Sequence, residues 1–157
     1  MKIKKILFIQ KQPLPYSGIL SLTSMLEANG YDVDVMISSL ENRFIHTIRE
    51  ISPDLIGITA MSMERNWIEK PAVTIKSMLP SIPIVVGGVH AILYPEDVIK
   101  IKSVDYVCNS EGEIALLNLI KFIENDERDG RFLKGIWLRD KKGDVIQNET
   151  GDISNDI

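Results

Sequence analysis

The chain has 157 residues, 45% of them apolar, and its 22 acidic and 18 basic side chains give a net charge of -4. This length and composition suit one domain with a single core, and the charge excludes a strongly basic nucleic-acid-binding or membrane-binding surface. The lone cysteine excludes an internal disulfide and favours a reducing, cytoplasmic location, and no apolar run reaches the roughly 18–20 residues that span a bilayer.

Strand and helix patterns alternate along the first 125 residues. The segments with the apolar, β-branched composition of strands are residues 5–10, 31–37, 54–61, 82–88 and 104–110. A helical segment follows each strand, and the fourth is a short one that begins at Pro95. This order predicts an α/β fold with a doubly wound, five-stranded parallel sheet in flavodoxin-like (Rossmann-like) order.

The character of the sequence changes after the fifth helix. Residues 126–131 form a charged linker, and residues 134–149 have the pattern of a β-hairpin that turns at Asp140–Gly143. Residues 150–157 are polar and offer no apolar anchor. We therefore expect an α/β domain over residues 1–128, followed by a C-terminal β-hairpin and linker over residues 129–157.

Ligands of open α/β sheets bind at the carboxyl ends of the strands, so the loops that follow strands are the candidate site. The first of these loops is longer than the about 2–6 residues that usually connect a strand to the following helix. Two prolines stiffen it, and Gly18 permits a close approach to the next helix. The loops after strands one, three, four and five are KQPLPYSG (11–18), TAMSMERN (59–66), GGVH (87–90) and NSEGE (109–113).

The residues of these loops leave structural and functional explanations open. Gly87 and Gly88 suit either a tight turn or the close approach of a bulky ligand. Glu111 and Glu113 suit either a helix N-terminus or a binding loop. His90 is expected to cap a helix or to be solvated.

Several sites with known sequence patterns are absent. The chain contains neither a G-x-G-x-x-G nor a G-x-x-x-x-G-K-[ST] motif, which excludes the common dinucleotide and P-loop sites. Two separated histidines and one cysteine have no zinc-ligand spacing. We predict no catalytic residue and no metal ligand in this chain.

Taken together, the loops resemble one family, the cobalamin (vitamin B12)-binding domain that precedes the barrel of B12-dependent radical S-adenosylmethionine (SAM) enzymes. The resemblance covers roughly residues 5–125. It is carried by the segments PYSGILSLTSMLEANGYDVDV, PDLIGIT, IPIVVGGVHAILYPEDV and VDYVCNSEGE, in that order.

The resemblance implies a corrinoid that lies across the strand ends, with its nucleotide tail between the sheet and the helices. It implies a border of the ring at Pro15, Tyr16 and Gly18. A lower face or tail path would lie at Thr59, Met61 and Ser62. Close backbone contacts would come from Gly87, Gly88 and His90, and the far side would close at Glu111, Gly112 and Glu113.

Two departures limit what the resemblance implies. The first loop lacks the Asp-x-His-x-x-Gly motif of classical B12 mutases, so the cobalamin is expected without a histidine ligand from that loop. The lone Cys108 cannot supply the Cys-x-x-x-Cys-x-x-Cys motif of a radical SAM barrel. S-adenosylmethionine and a 4Fe-4S cluster are therefore expected only in a downstream domain of the same polypeptide, for methyl transfer or oxidative cyclisation.

Two alternatives remain open. A flavodoxin-like domain could bind FMN or another small ligand, although the two prolines of the first loop remove backbone donors from a phosphate site. A cofactor-free interaction domain is the second alternative.

Overall fold

The computed structural model describes residues 1–151 and shows one twisted sheet with helices on both faces. Its strands are β1 (Lys5–Gln10), β2 (Asp32–Ile37), β3 (Leu55–Thr59), β4 (Ile84–Gly87), β5 (Tyr106–Cys108), β6 (Ile136–Arg139) and β7 (Val145–Ile146). Its α-helices are α1 (Ser17–Ala28), α2 (Phe44–Ile51), α3 (Arg65–Met78), α4 (Val89–Leu93), α5 (Pro95–Ile99) and α6 (Gly112–Glu124). The strand order is β2-β1-β3-β4-β5-β6-β7.

The predicted α/β, doubly wound architecture is confirmed, but within residues 1–151 the sheet has seven strands and not five. Strands β1 to β5 are parallel in the flavodoxin-like order, whereas β6 pairs antiparallel with β5 and β7 antiparallel with β6. The segment predicted as a separate hairpin thus extends the sheet. It covers the edge that β5 would otherwise expose, and it buries Ile136 and Leu138.

Alternation along the strands divides the apolar side chains between two cores. In β1, Leu7 and Ile9 face the core beneath α2, α3, α4 and α5. Ile6 and Phe8 point the other way, into the core beneath α1 and α6. Helices thus cover both faces of the sheet, which explains why β1 is continuously apolar over residues 6–9 and β3 over residues 55–58.

Pro71 lies inside α3, beyond the first turn that begins at Arg65, and its ring nitrogen cannot donate a helical hydrogen bond. The segment before Pro95 also forms a helix, α4, which the pattern did not reveal. Residues 152–157, the end of the polar tail, lie outside the described residues. Across residues 1–151, no helix has both the length and the apolar character needed to cross a membrane.

Candidate functional site

A cavity of about 690 Å³ opens at the carboxyl edge of the parallel strands. It begins between the neighbouring strands β1 and β3, where the strand order reverses. From β1 the chain continues to β2 at one edge of the sheet, and from β3 it continues to β4 in the opposite direction. This reversal separates the loops that follow β1 and β3, and open α/β sheets bind their ligands in the crevice that results. The cavity then continues inward between the sheet and the helices α1 and α6, over Phe8, Val85 and Leu116.

Most of the residues predicted for the site line this single cavity. They are Pro15, Tyr16, Gly18, Thr59, Met61, Gly87, Gly88, Glu111, Gly112 and Glu113. Ser62 and His90 are not among its lining residues. The loops converge because parallel strands deliver their carboxyl ends to one edge, as the pairing of Thr59 with Gly87 shows.

The loop after β1 covers only residues 11–16, so it is shorter than the sequence pattern predicts. Gln10, which was not among the predicted site residues, holds this loop in place. Gln10 is 5% exposed, and its Nε2 donates to the carbonyl oxygens of Gln12 at 2.7 Å and Leu14 at 2.9 Å. These bonds curl the loop back on its own strand. A polar residue at the end of an otherwise apolar strand was the signal that could have identified it.

The loops after β1 and β3 are linked across the cavity by Tyr16 and Glu64. The Tyr16 hydroxyl donates to Glu64 Oε1 at 3.0 Å, and the Met61 backbone N–H donates to Glu64 Oε2 at 3.1 Å. Burial and the neighbouring Glu64 carboxylate raise the pKa of Tyr16. No local sequence pattern indicates Glu64, because its partner Tyr16 lies 48 residues away along the chain.

The fold requires only one of the two glycines at the end of β4. Gly88 has φ +95°, and a Cβ at this position would lie 2.8 Å from both the Ala60 carbonyl oxygen and Thr59 Oγ1. The turn itself therefore requires Gly88. A Cβ on Gly87 would meet only Cys108 Cβ, at 3.7 Å, so the fold does not require a glycine there.

Two further glycines shape the cavity. A Cβ on Gly18, in the first turn of α1, would meet no atom within 4 Å and would project into open space at the cavity. Gly57, in the middle of β3, makes room for a neighbouring ring, because a Cβ there would lie 2.6 Å from Phe8 Cδ1. Both residues line the cavity, and the sequence analysis missed Gly57.

The Glu-Gly-Glu segment begins α6 and also forms one wall of the cavity. Glu113 Oε1 accepts a hydrogen bond of 2.7 Å from Ser21 Oγ of α1. A Cβ on Gly112 would come within 3.0 Å of Leu22 Cδ2, so this glycine lets α1 and α6 pack closely. Glu111 remains exposed at the rim. The two glutamates thus lie at the N-terminus of α6 and also line the cavity.

His90 is neither solvated nor exposed, which corrects the sequence expectation. Its side chain is 3% exposed, and its Nδ1 has no hydrogen-bond partner among the described residues. The His90 backbone N–H donates to the Ala60 carbonyl oxygen at 3.3 Å, which helps to close the turn after β4. The imidazole lines a separate, smaller cavity between α3 and α5.

Within residues 1–151, no group of three or more histidine, cysteine, aspartate or glutamate side chains is arranged to hold a metal ion. Cys108 is buried, and its Sγ donates to the Ser110 carbonyl oxygen at 3.4 Å. Burial raises the pKa of the Cys108 thiol. The site therefore offers apolar cover, backbone groups and glycines, which suits a large ligand that binds by shape.

Residues 10–120 match the family described as B12 binding domain. Over 125 residues the chain is 30% identical to an anaerobic magnesium-protoporphyrin IX monomethyl ester cyclase of Rubrivivax gelatinosus, covering 76% of this chain and 22% of that protein. The chain thus spans about a fifth of the length of that curated relative.

Two solved structures with a similar fold come from chains of which this chain covers less than a third. One is the cobalamin-dependent S-adenosylmethionine radical enzyme OxsB with aqua-cobalamin and S-adenosylmethionine bound, at a TM-score of 0.80 and 22% identity over 96% of this chain and 23% of that chain. Another is the radical S-adenosylmethionine methyltransferase TsrM from Kitasatospora setae with cobalamin and a 4Fe-4S cluster bound, at a TM-score of 0.81 and 18% identity over 98% of this chain and 30% of that chain. At these identities, the likeness establishes the fold.

Proposed function

Because the chain belongs to the B12 binding domain family, we propose that its cavity binds cobalamin. The corrin ring lies across the carboxyl ends of the strands, and the nucleotide tail enters between the sheet and the helices α1 and α6. The observation that carries this proposal is the shape of the cavity, which opens at the strand-order reversal and continues inward over Gly57. The deep part supplies apolar cover, and the mouth supplies glycines and backbone groups.

The lining residues divide into three groups in this proposal. Pro15, Tyr16 and Gly18 border the ring, and Gly18 leaves open space where a side chain would otherwise stand. Thr59 and Met61 lie along the lower face, with Ser62 next to them in sequence.

The remaining wall comes from the loops after β4 and β5. Gly87 and Gly88 bring backbone close to the ligand, while Glu111, Gly112 and Glu113 close the far side. His90 supports the turn beneath these glycines through its backbone N–H and does not reach the cavity by its side chain. Bound cobalamin would supply a cobalt centre, and no histidine of the loop after β1 ligates it because residues 11–18 contain none.

We further propose that this chain is a module of a longer radical SAM enzyme, with residues 129–157 leading toward the catalytic domain. A Cβ on Gly151 would lie 3.0 Å from Ser110 Oγ, and Ser110 lines the cavity. The chain therefore leaves the described region beside the cavity mouth, where a following domain would cover the exposed side of the corrinoid. That domain would hold the 4Fe-4S cluster and S-adenosylmethionine, because the single cysteine here is buried.

The reaction of the whole protein is proposed as oxidative cyclisation or methyl transfer. In support, the relative from Rubrivivax gelatinosus is named a cyclase and TsrM a methyltransferase. No residue of this chain is assigned a catalytic role. A cytoplasmic location is part of the proposal, and the free thiol of Cys108 supports it.

The test compares hydroxocobalamin with cobinamide, a corrinoid that lacks the nucleotide tail. If the tail occupies the deep part of the cavity, the chain binds hydroxocobalamin more tightly than cobinamide. Equal affinities would contradict tail insertion, and failure to bind either corrinoid would contradict the proposed function. FMN serves as the competitor for the flavodoxin-like alternative.

A further inference from the structure

We propose that Glu64 is a positioning residue of the cobalamin site. Its carboxylate fastens the loop after β1 to the loop after β3, and so holds Tyr16 and Met61 in place at the cavity. The inference rests on the proposed function, and it adds a residue that does not itself line the cavity.

Each oxygen of the Glu64 carboxylate has its own partner on a different loop. Oε1 accepts from the Tyr16 hydroxyl at 3.0 Å, and Oε2 accepts from the Met61 backbone N–H at 3.1 Å. The Glu64 residue is 9% exposed, although it lies in a short turn between β3 and α3. A buried carboxylate with two donors makes stronger hydrogen bonds than neutral groups do.

The position of this link gives it a role in binding. Tyr16 and Met61 both line the cavity, on opposite sides of the strand-order reversal. Gln10 orders the loop after β1 internally, whereas Glu64 joins that loop to its neighbour. A loop that is already ordered in the free protein loses less conformational freedom when a ligand binds, which increases the affinity.

A purely local explanation accounts for only half of the arrangement. The bond from the Met61 N–H to Glu64 Oε2 is a capping contact of the turn that begins α3. That contact would form whether or not a ligand binds nearby. It does not explain why the other carboxylate oxygen accepts from a tyrosine 48 residues away.

The experiment measures hydroxocobalamin affinity for Glu64→Ala, Tyr16→Phe, the double variant, and Glu64→Gln. We expect Glu64→Ala to weaken binding about 2–12-fold, which corresponds to the about 0.5–1.5 kcal/mol for one newly mobile side chain. The double variant should bind no more weakly than Glu64→Ala, because both changes break the same link. Glu64→Gln should recover most of the affinity, since an amide can accept from Met61 N–H and donate to the Tyr16 oxygen.

The control is Glu69→Gln, a carboxylate-to-amide change at an exposed position of α3 that does not line the cobalamin cavity. It should bind cobalamin as tightly as the wild type. Wild-type affinity in Glu64→Ala, or losses that multiply in the double variant, would overturn the positioning role alone. A wild-type chain that takes up no cobalamin would overturn the proposed function, and the positioning role with it.

A readout without cofactor separates the link from a general loss of folding. Amide hydrogen exchange at Ile19 and Leu20, whose N–H groups donate to the Tyr16 carbonyl oxygen, should accelerate in Glu64→Ala, while the amides of β1 keep their protection. Unchanged exchange at Ile19 and Leu20 would overturn the link between the two loops. Equal acceleration at these two amides and in β1 would assign Glu64 to the stability of the whole fold, which would also overturn it.

Discussion

Replacing Gly18 by leucine should separate ligand binding from stability, because the two are expected to change in opposite directions. Gly18 is the second residue of α1, and a Cβ there would meet no atom within 4 Å. The Cβ of the new side chain therefore causes no clash in the free protein, and Gly18 lines the cavity that we assign to cobalamin.

The expected magnitudes follow from these contacts. Leucine is a better helix former than glycine, by up to about 1 kcal/mol in a helix interior and less near a helix start. For a domain of this size, that gain corresponds to a rise in melting temperature of about 2–4 °C at most. Forcing a bulky ligand against the added side chain costs about 1–3 kcal/mol, which weakens binding roughly 5–150-fold.

The assay pairs thermal unfolding with a hydroxocobalamin titration on the same preparations. Ser24→Leu is the matched control, since Ser24 is an exposed residue of α1 that does not line the cavity. The control should bind as the wild type does. Wild-type affinity in Gly18→Leu would refute the assignment of this space to the ligand, as would a melting temperature that falls in proportion to the loss of binding.

Three further predictions concern the turn, the pH dependence and the cobalt. Gly88→Val should lower the free energy of unfolding by about 1–3 kcal/mol or more because φ is +95°, whereas Gly87→Ala should change it little; equal thermal stability of the two variants would contradict this. Burial and, less strongly, Asp105 raise the pKa of Tyr106 from 10.0 to about 12. The neutral phenol therefore contributes fully to the free energy of unfolding below pH 10, and this contribution is lost as the pH rises toward 12. Between pH 10 and pH 12, Tyr106→Phe should therefore lose less of its free energy of unfolding, measured in urea, than the wild type does. The same pH profile in the variant and the wild type would count against this role of Tyr106. His90→Gln should leave the visible spectrum of bound cobalamin unaltered, and a shifted spectrum would show that the imidazole reaches the cobalt.

The parallel part of the fold could be predicted from the sequence because its signals are local. The continuous apolar run of β1 marked that strand at the bounds the structure shows, Lys5–Gln10. The seven-strand count could not be predicted in this way. The pairing of β6 with β5 depends on a contact between Val107 and Trp137, 30 residues apart, and no local pattern specifies which edge a hairpin joins.

The site was predictable to the extent that strand order determines it. The rule that parallel strands deliver their loops to one edge brought Tyr16 and Glu111 to the same cavity. The same rule does not distinguish a residue that contacts the ligand from one that the fold requires. Gly88, for example, is required by the turn after β4. Glu64 escaped notice because its role depends on a hydrogen bond to Tyr16, 48 residues away, which leaves no periodic trace in the sequence. Gln10 bonds only to its own loop, and its one sequence signal is a polar residue at the end of an apolar strand.

The most direct test of the account is a visible-absorption titration of the purified chain with hydroxocobalamin, with FMN as the competitor. We predict saturable binding of one cobalamin per chain and no displacement by FMN. Separation of the protein from the cofactor on a sizing column, or displacement of cobalamin by stoichiometric FMN, would contradict the central claim that this cavity is a cobalamin site.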